Sequence, residues 1–253
     1  MRESAKNRVG DLFGQAMADD LAPLVAAAHE LKTPLSVVAY LAAALRDPNG
    51  DLTPAQTANY LERISLATER MNRLVEGFTQ AYRLGSDGNQ LSLLGLEPVN
   101  ISQISQEVAQ ELQPLARQLD QTIELKVHSR SNLVVANRQM LSSVMINLMD
   151  NALKHNEPGT DVHVNISQHG NYIRAGVQDN GANVTRHDLL RLRGRFGKEL
   201  QPLSGRSHSS GLGLYIASQL TRAMGGNLGA ICHHKTGTTF YADLQRSTQL
   251  SLI

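Results

Sequence analysis

A histidine stands directly before a glutamate, with a threonine four places on, in H-E-L-K-T-P-L at residues 29–35. On a helix His29 and Thr33 share one face, with Lys32 close beside them. Glu30 could hydrogen-bond one imidazole nitrogen and make the other the better nucleophile, the pairing that covalent catalysis uses. Pro34 removes a backbone hydrogen bond and tends to bend the helix, freeing a carbonyl just below the histidine. By itself the group also fits a solvated helix face carrying ordinary charges.

A second constellation, N-L-M-D-N-A-L-K-H-N at 147–156, puts Asn147, Asn151 and Lys154 at i, i+4 and i+7. Amide oxygens can complete the partly hydrated octahedron that Mg²⁺ demands, and a lysine meets phosphate as a point charge. The competing reading is an exposed Asn- and Lys-rich face, against which stand the apolar Leu148, Met149, Ala152 and Leu153 between them. V-Q-D-N-G (177–181) follows an alternating stretch. An aspartate at a strand end can accept hydrogen bonds from an exocyclic amine, and Gly181 permits close backbone approach; D-N-G is also a common hairpin turn. S-S-G-L-G-L-Y-I-A (209–217) sets glycines before a helix, where free N–H groups and the helix dipole favour phosphate. A simple chain reversal uses the same glycines, but the long polar stretch K-E-L-Q-P-L-S-G-R-S-H (198–208) before it could close as a lid.

Elements to carry these residues are legible in the apolar spacing. Leu24, Ala28, Leu31, Leu35, Val38, Ala42 and Leu45 recur at fours and threes, as do Tyr60, Ile64, Ala67, Met71, Leu74, Phe78 and Ala81. That 3.5-residue period predicts helices packed along helices. Between them Pro48 and Gly50 end the first helix, Thr53 caps the second and Pro54 fits its first turn. The stripes of one hairpin would stay partly in water, so residues ~10–84 are expected to form half of a dimeric four-helix bundle. His29 and Thr33 lie off the stripe, facing solvent.

Residues 85–97 hold a polar linker, G-S-D-G-N-Q, and a short extended piece before a second domain at 98–246. There Asn100 caps a helix to about Leu119, strands are expected at 122–128 and 132–137, and a helix spans about 138–155. Alternating strands at 162–166 and 172–177 follow, then a short helix near 185–193, a loop at 197–210 and a helix at 213–224. Strands at about 227–233 and 237–244 finish the domain. The fold class is α+β: a helical hairpin, then an α/β sandwich with a mixed sheet.

Taken in order and spacing, these motifs resemble those of the sensor histidine kinases over about residues 20–245. Residues 29–35 resemble that family's phosphoacceptor box, 147–156 its asparagine box, 177–181 and 211–213 its two glycine boxes, and Arg195-Phe196 a remnant of its phenylalanine box. The resemblance implies an ATP-dependent kinase that phosphorylates His29 with help from Glu30, then passes the phosphoryl group to an aspartate of a response regulator. Thr33 would orient water for dephosphorylating that regulator. Asn147 and Asn151 would hold Mg²⁺, Lys154 the phosphates and Asp179 the adenine amine. Gly181 would line the base pocket, Gly211 and Gly213 would form the phosphate-side turn, and His155, Phe196 and Leu212 would also border the ATP.

Three departures bear on pocket shape: Asn183 stands where the first glycine box continues to a second glycine, Phe196 lacks its earlier aromatic, and Ser209 replaces an opening glycine. They favour a degenerate scaffold that binds a regulator without turning over ATP, whereas the intact His29, Asn147, Asn151 and Asp179 favour the enzyme. ATPases of the same sandwich superfamily use a glutamate base where Asn147 stands, and an amide is no base. Composition narrows the field further. A net charge of +1 and the absence of tryptophan argue against nucleic-acid partners. Cys232 is the sole cysteine, which suits a reducing compartment, and no run of about 18 apolar residues suggests a membrane span. A cytoplasmic protein, or the cytoplasmic part of a membrane sensor, is expected.

Overall fold

The computed structural model describes residues 24–25, 27–47, 51–86, 95–129, 132–156, 159–180, 212–233 and 237–248. The expected helix near 185–193, the loop at 197–210, and Pro48, Gly50, Gly181, Asn183, Phe196, Ser209 and Gly211 lie outside the described residues. The chain divides into two compact units, one containing the helices before Gln80 and one built on a sheet.

In the helical unit, α1 runs over residues 27–46, with 24 and 25 also helical, and α2 spans Pro54–Ser86. A reciprocal cap starts α2: the Thr53 N–H donates to Gln56 Oε1 (2.9 Å) and the Gln56 N–H to Thr53 Oγ1 (3.3 Å). Pro34 is buried within α1, and the Ser36 hydroxyl donates back to the Lys32 carbonyl at 2.8 Å. Burial on α1 centres on Pro34 and Leu41, a line displaced from the expected stripe. Two members of that stripe, Leu24 and Leu35, are 45% and 57% exposed. The physical reason is width: an apolar face broader than one seam buries part of itself within the hairpin and leaves the rest uncovered.

In the second unit, the short β1 (Glu97–Asn100) leads into α3 (Ile101–Gln118), whose first N–H groups at Ser102 and Gln103 donate to Asn100 Oδ1. Then come β2 (Thr122–Val127), β3 (Leu133–Ala136) and α4 (Arg138–His155), with Asn137 Oδ1 capping α4 through the Met140 N–H at 3.0 Å. The remaining elements are β4 (Asp161–His169), β5 (Tyr172–Asp179), α5 (Leu212–Ala223), β6 (Asn227–His233) and β7 (Gly237–Gln245). Five strands form a sheet in the order β2-β4-β5-β7-β6, parallel between β2 and β4 and antiparallel elsewhere. The mixed sheet is thus as expected, and β3 pairs with β1 in a separate two-stranded sheet.

Strict alternation sends Val162, Val164 and Ile166 of β4, Ile173, Ala175 and Val177 of β5, and Phe240, Ala242 and Leu244 of β7 into one core. Facing them are buried side chains of α3 (Ile104, Val108, Leu112), α4 (Leu141, Met145, Leu148, Met149) and α5 (Ile216, Leu220). On the other face the Arg174 guanidinium makes two 2.7 Å hydrogen bonds to Asp243 and lies 3.6 Å over the Tyr241 ring. The Asp243 hydrogen bonds raise its pKa further above the ordinary arginine range. Among the described residues no helix is long and apolar enough to cross a membrane.

Candidate functional site

His29, Lys32 and Thr33 all lie on the exposed side of α1. Glu30 turns the other way: its side chain is 13% exposed, with one carboxylate oxygen 4.0 Å from Arg70 Nη2 on α2. Arg70 was not foreseen from sequence, where it is one more cation on a charged helix. The contact draws the Glu30 carboxylate toward α2, on the side of α1 away from His29.

In the sheet unit, α4 and the start of α5 come together through Asn147 and Gly213. Asn147 is half-buried, and its Nδ2 donates to the Ser143 carbonyl at 2.8 Å, one turn back. That bond turns Oδ1 away from its own helix, so that a Cβ added to Gly213 would stand 3.0 Å from it. Glycine at 213 therefore lets the N-terminal turn of α5 approach the asparagine line. Asn151 is half-buried one turn further along α4. The Lys154 ammonium pairs with Asp150 at 2.7 Å, so a phosphate would share or displace that carboxylate. Leu212 is buried at the head of α5. The His155 side chain, Gly181, Phe196 and Gly211 lie outside the described residues.

Asp179 ends β5 with 4% exposure. Its Oδ1 accepts the Thr238 N–H of β7 at 3.0 Å, which fixes the carboxylate plane. Gly237, at φ +83°, lies against the Asp179 carbonyl so closely that a Cβ there would collide with it. Sequence reasoning missed this backing. The signal available was a lone glycine opening a strand (G-T-T-F), which reads equally as a turn residue.

The donor set fits Mg²⁺ of the kind that arrives with a nucleotide. Among the described residues there is no cluster of three or more His, Cys, Asp or Glu that could hold a metal alone. What α4 offers is amide oxygen from Asn147, already oriented by its own hydrogen bond, and from Asn151. Mg²⁺ commonly takes one or two protein oxygens and completes its shell with water and substrate phosphates.

A sheet layered against helices, with an asparagine line on one helix, the N-terminus of another against it and a buried aspartate at a strand end, defines the class of ATP-binding sandwiches. Comparison with known proteins agrees. The family described as histidine kinase-, DNA gyrase B-, and HSP90-like ATPase matches residues 136–248, and the His kinase A phospho-acceptor domain matches residues 24–87. The chain is 32% identical over 216 residues to the sensor protein SphS of Synechococcus elongatus, covering 83% of this chain and 51% of that protein. It thus spans about half the length of that curated relative. A solved full-length ShkA in complex with AMPPNP is 25% identical, with a TM-score of 0.59 over 93% of this chain and 47% of that one. The histidine kinase ThkA in complex with the response regulator TrrA shares the fold at a TM-score of 0.58 over 97% of this chain and 66% of that one, at 17% identity. The chain belongs to the two-component sensor histidine kinases.

Proposed function

We propose that this chain is the kinase core of a two-component sensor: it binds Mg²⁺ and ATP, autophosphorylates on His29, and donates the phosphoryl group to an aspartate of a response regulator. The observation that carries this is that one chain holds both an exposed His29 on α1 and, in its sheet unit, a candidate nucleotide site of Asn147, Gly213 and Asp179. Domain boundaries at ~10–84, 85–97 and 98–246 fit that division of labour, the two family matches beginning at residues 24 and 136.

In this mechanism Asp179 accepts from the adenine amine, and the α5 N-terminus at Gly213 meets the phosphates. Asn147 and Asn151 would hold Mg²⁺ through their amide oxygens, and the ion would supply neutralisation of phosphate charge. Lys154 exchanges part of its Asp150 pairing for phosphate. The free imidazole nitrogen of His29 attacks the γ-phosphorus in line. An N–P bond forms as the bond to the ADP oxygen breaks, and the proton on the other ring nitrogen of the resulting cation passes to Glu30 as base. A regulator aspartate then attacks the phosphohistidine, and Thr33, one turn away, positions water for the reverse signal of dephosphorylation.

A second copy of the chain would cover the exposed Leu24 and Leu35, making a dimeric four-helix bundle. A proposed need for ATP and a lone Cys232 support work in a reducing, cytoplasmic compartment. Incubation with γ-labelled ATP and Mg²⁺ tests the reading. The expected product is a protein-bound phosphoramidate, stable in base and lost in acid. A preparation that binds ATP yet takes up no label would establish a regulator-binding scaffold instead.

A further inference from the structure

The β4–β5 ladder stops one rung short of the site. Its last pair is His163 with Gln178. Continuing two residues along each antiparallel strand would set Asp161 opposite Asn180, the residue that follows Asp179. That rung has no backbone-to-backbone pairing, and the Asn180 side-chain Nδ2 reaches the Asp161 carbonyl only at 3.5 Å. The side-chain amide of Asn156 stands within it: Oδ1 accepts the Asn180 N–H at 2.7 Å, and Nδ2 donates to the Asp161 carbonyl at 3.3 Å. Asn156 thus serves as an inserted peptide group that satisfies both strands while holding them apart.

The insertion is itself held firmly. Asn156 is buried at the C-terminal end of α4, where its N–H donates to the Ala152 carbonyl at 3.0 Å. Its carbonyl accepts from Gln121 Nε2 at 3.3 Å, and the same Gln121 amine donates to the Leu153 carbonyl at 3.2 Å. A buried amide with both ends engaged is costly to move, because any shift leaves a donor or acceptor unpaired. Asp179 is consequently fixed from two sides, by Thr238 on β7 and, through Asn180, by the end of the helix that carries Asn147 and Asn151.

We propose that Asn156 is a positioning residue for adenine recognition: by occupying the Asp161–Asn180 rung it sets the placement of Asp179 against the asparagine line of α4. The inference rests on the reading of Asp179 as acceptor of the adenine amine. Without Asn156, the Asn180 backbone N–H can close on the Asp161 carbonyl, drawing the end of β5 toward β4. On the phosphate side, the contacts of Asn147 with Ser143 and Gly213 involve neither Asn156 nor strands β4 and β5.

The test is calorimetric, on the full chain, with ATP and with purine riboside triphosphate, which lacks the 6-amine. The ratio of the two dissociation constants reads the amine contact alone. Wild type should favour ATP by about tenfold or more, the usual consequence of leaving a buried acceptor unpaired. Asp179→Asn should bring the ratio near one, and Asn156→Ala should lower it at least about threefold. Affinity of Asn156→Ala for the amine-free analogue should stay within about twofold of wild type. If Asp179→Asn lowers the ratio and Asn156→Ala retains the wild-type value with only a reduced melting temperature, Asn156 is a structural tie and the proposal fails. If Asp179→Asn also leaves the ratio unchanged, the adenine reading fails and the proposal with it. Should Asn156→Ala not fold, Asn156→Ser, whose hydroxyl is too short to reach both partners, takes its place under the same criteria.

Discussion

Gly213→Ala sets two calculable effects against each other. The new Cβ would stand 3.0 Å from Asn147 Oδ1, and 3.8 Å from its Cγ, so the amide must give way by a few tenths of an ångström. It is not free to do so, because Nδ2 is held at 2.8 Å by the Ser143 carbonyl. Rotating the amide weakens that hydrogen bond, at about 0.5–1.5 kcal/mol. Against this, alanine in place of glycine within a helix gains about 0.5–1 kcal/mol. The two nearly cancel, so the melting temperature should move by no more than about 4 °C. Function should not be spared. Mg²⁺ tolerates little departure from octahedral geometry, and displacing one of its oxygen ligands should weaken Mg·ATP binding about tenfold. Calorimetric titration with Mg·ATP beside a thermal melt separates the two readouts. In the Asn147→Ala background the clash no longer exists, so adding Gly213→Ala should cost no further affinity, a non-additivity expected of groups in contact. Unchanged Mg·ATP affinity in the single variant, or full additivity in the double, would refute the claim that Asn147 Oδ1 is the functional atom under Gly213.

Other outcomes follow from the same geometry. Asp179→Asn keeps an oxygen for the Thr238 N–H, so folding should hold, while ATP affinity falls about ten- to hundredfold by titration as a donor comes to face the adenine amine. Leu24→Asp with Leu35→Asp, both exposed on the single chain, should leave the hairpin folded and yield monomers by light scattering; persistent dimers would place the interface elsewhere. Thr33→Ala should keep autophosphorylation near the wild-type rate while prolonging the life of a phosphorylated regulator, measured on one preparation. Equal loss of both activities would assign Thr33 a structural role.

Where a segment carried its own period and caps, the sequence was enough. Helix α4 could be read from Leu141, Val144, Met145 and Leu148, and begins at residue 138 as expected because Asn137 supplies the cap. Strands β4 and β5 announced themselves by the alternation of a half-covered sheet. Strand β1 did not. Four residues that include Pro98 have no period, and their partner β3 lies more than thirty positions away. The same distance problem hid the allocation of β3 to its own small sheet. On the hairpin, spacing identified apolar faces but not which part faces α2, since a face wider than one seam permits either choice.

The candidate site divides in the same way. Its chemistry-bearing residues were visible because their types are unusual where they stand: two asparagines and a lysine on an apolar helix, an aspartate closing a strand. The residues that aim them were not. Arg70, Thr238, Gly237 and Asn156 act through contacts with residues distant in sequence, and each has an unremarkable local explanation as surface cation, strand residue, turn or helix end.

The central claim is that His29 is the residue that takes phosphate from ATP, and one comparison tests it most directly: label uptake from γ-labelled ATP and Mg²⁺ by wild type and by His29→Gln. His29 is exposed on α1, so the substitution should leave folding and calorimetric ATP affinity unchanged. The account predicts acid-labile label in wild type and none in the variant. Undiminished label in His29→Gln would contradict it, assigning the phosphoryl group to another of the nine histidines.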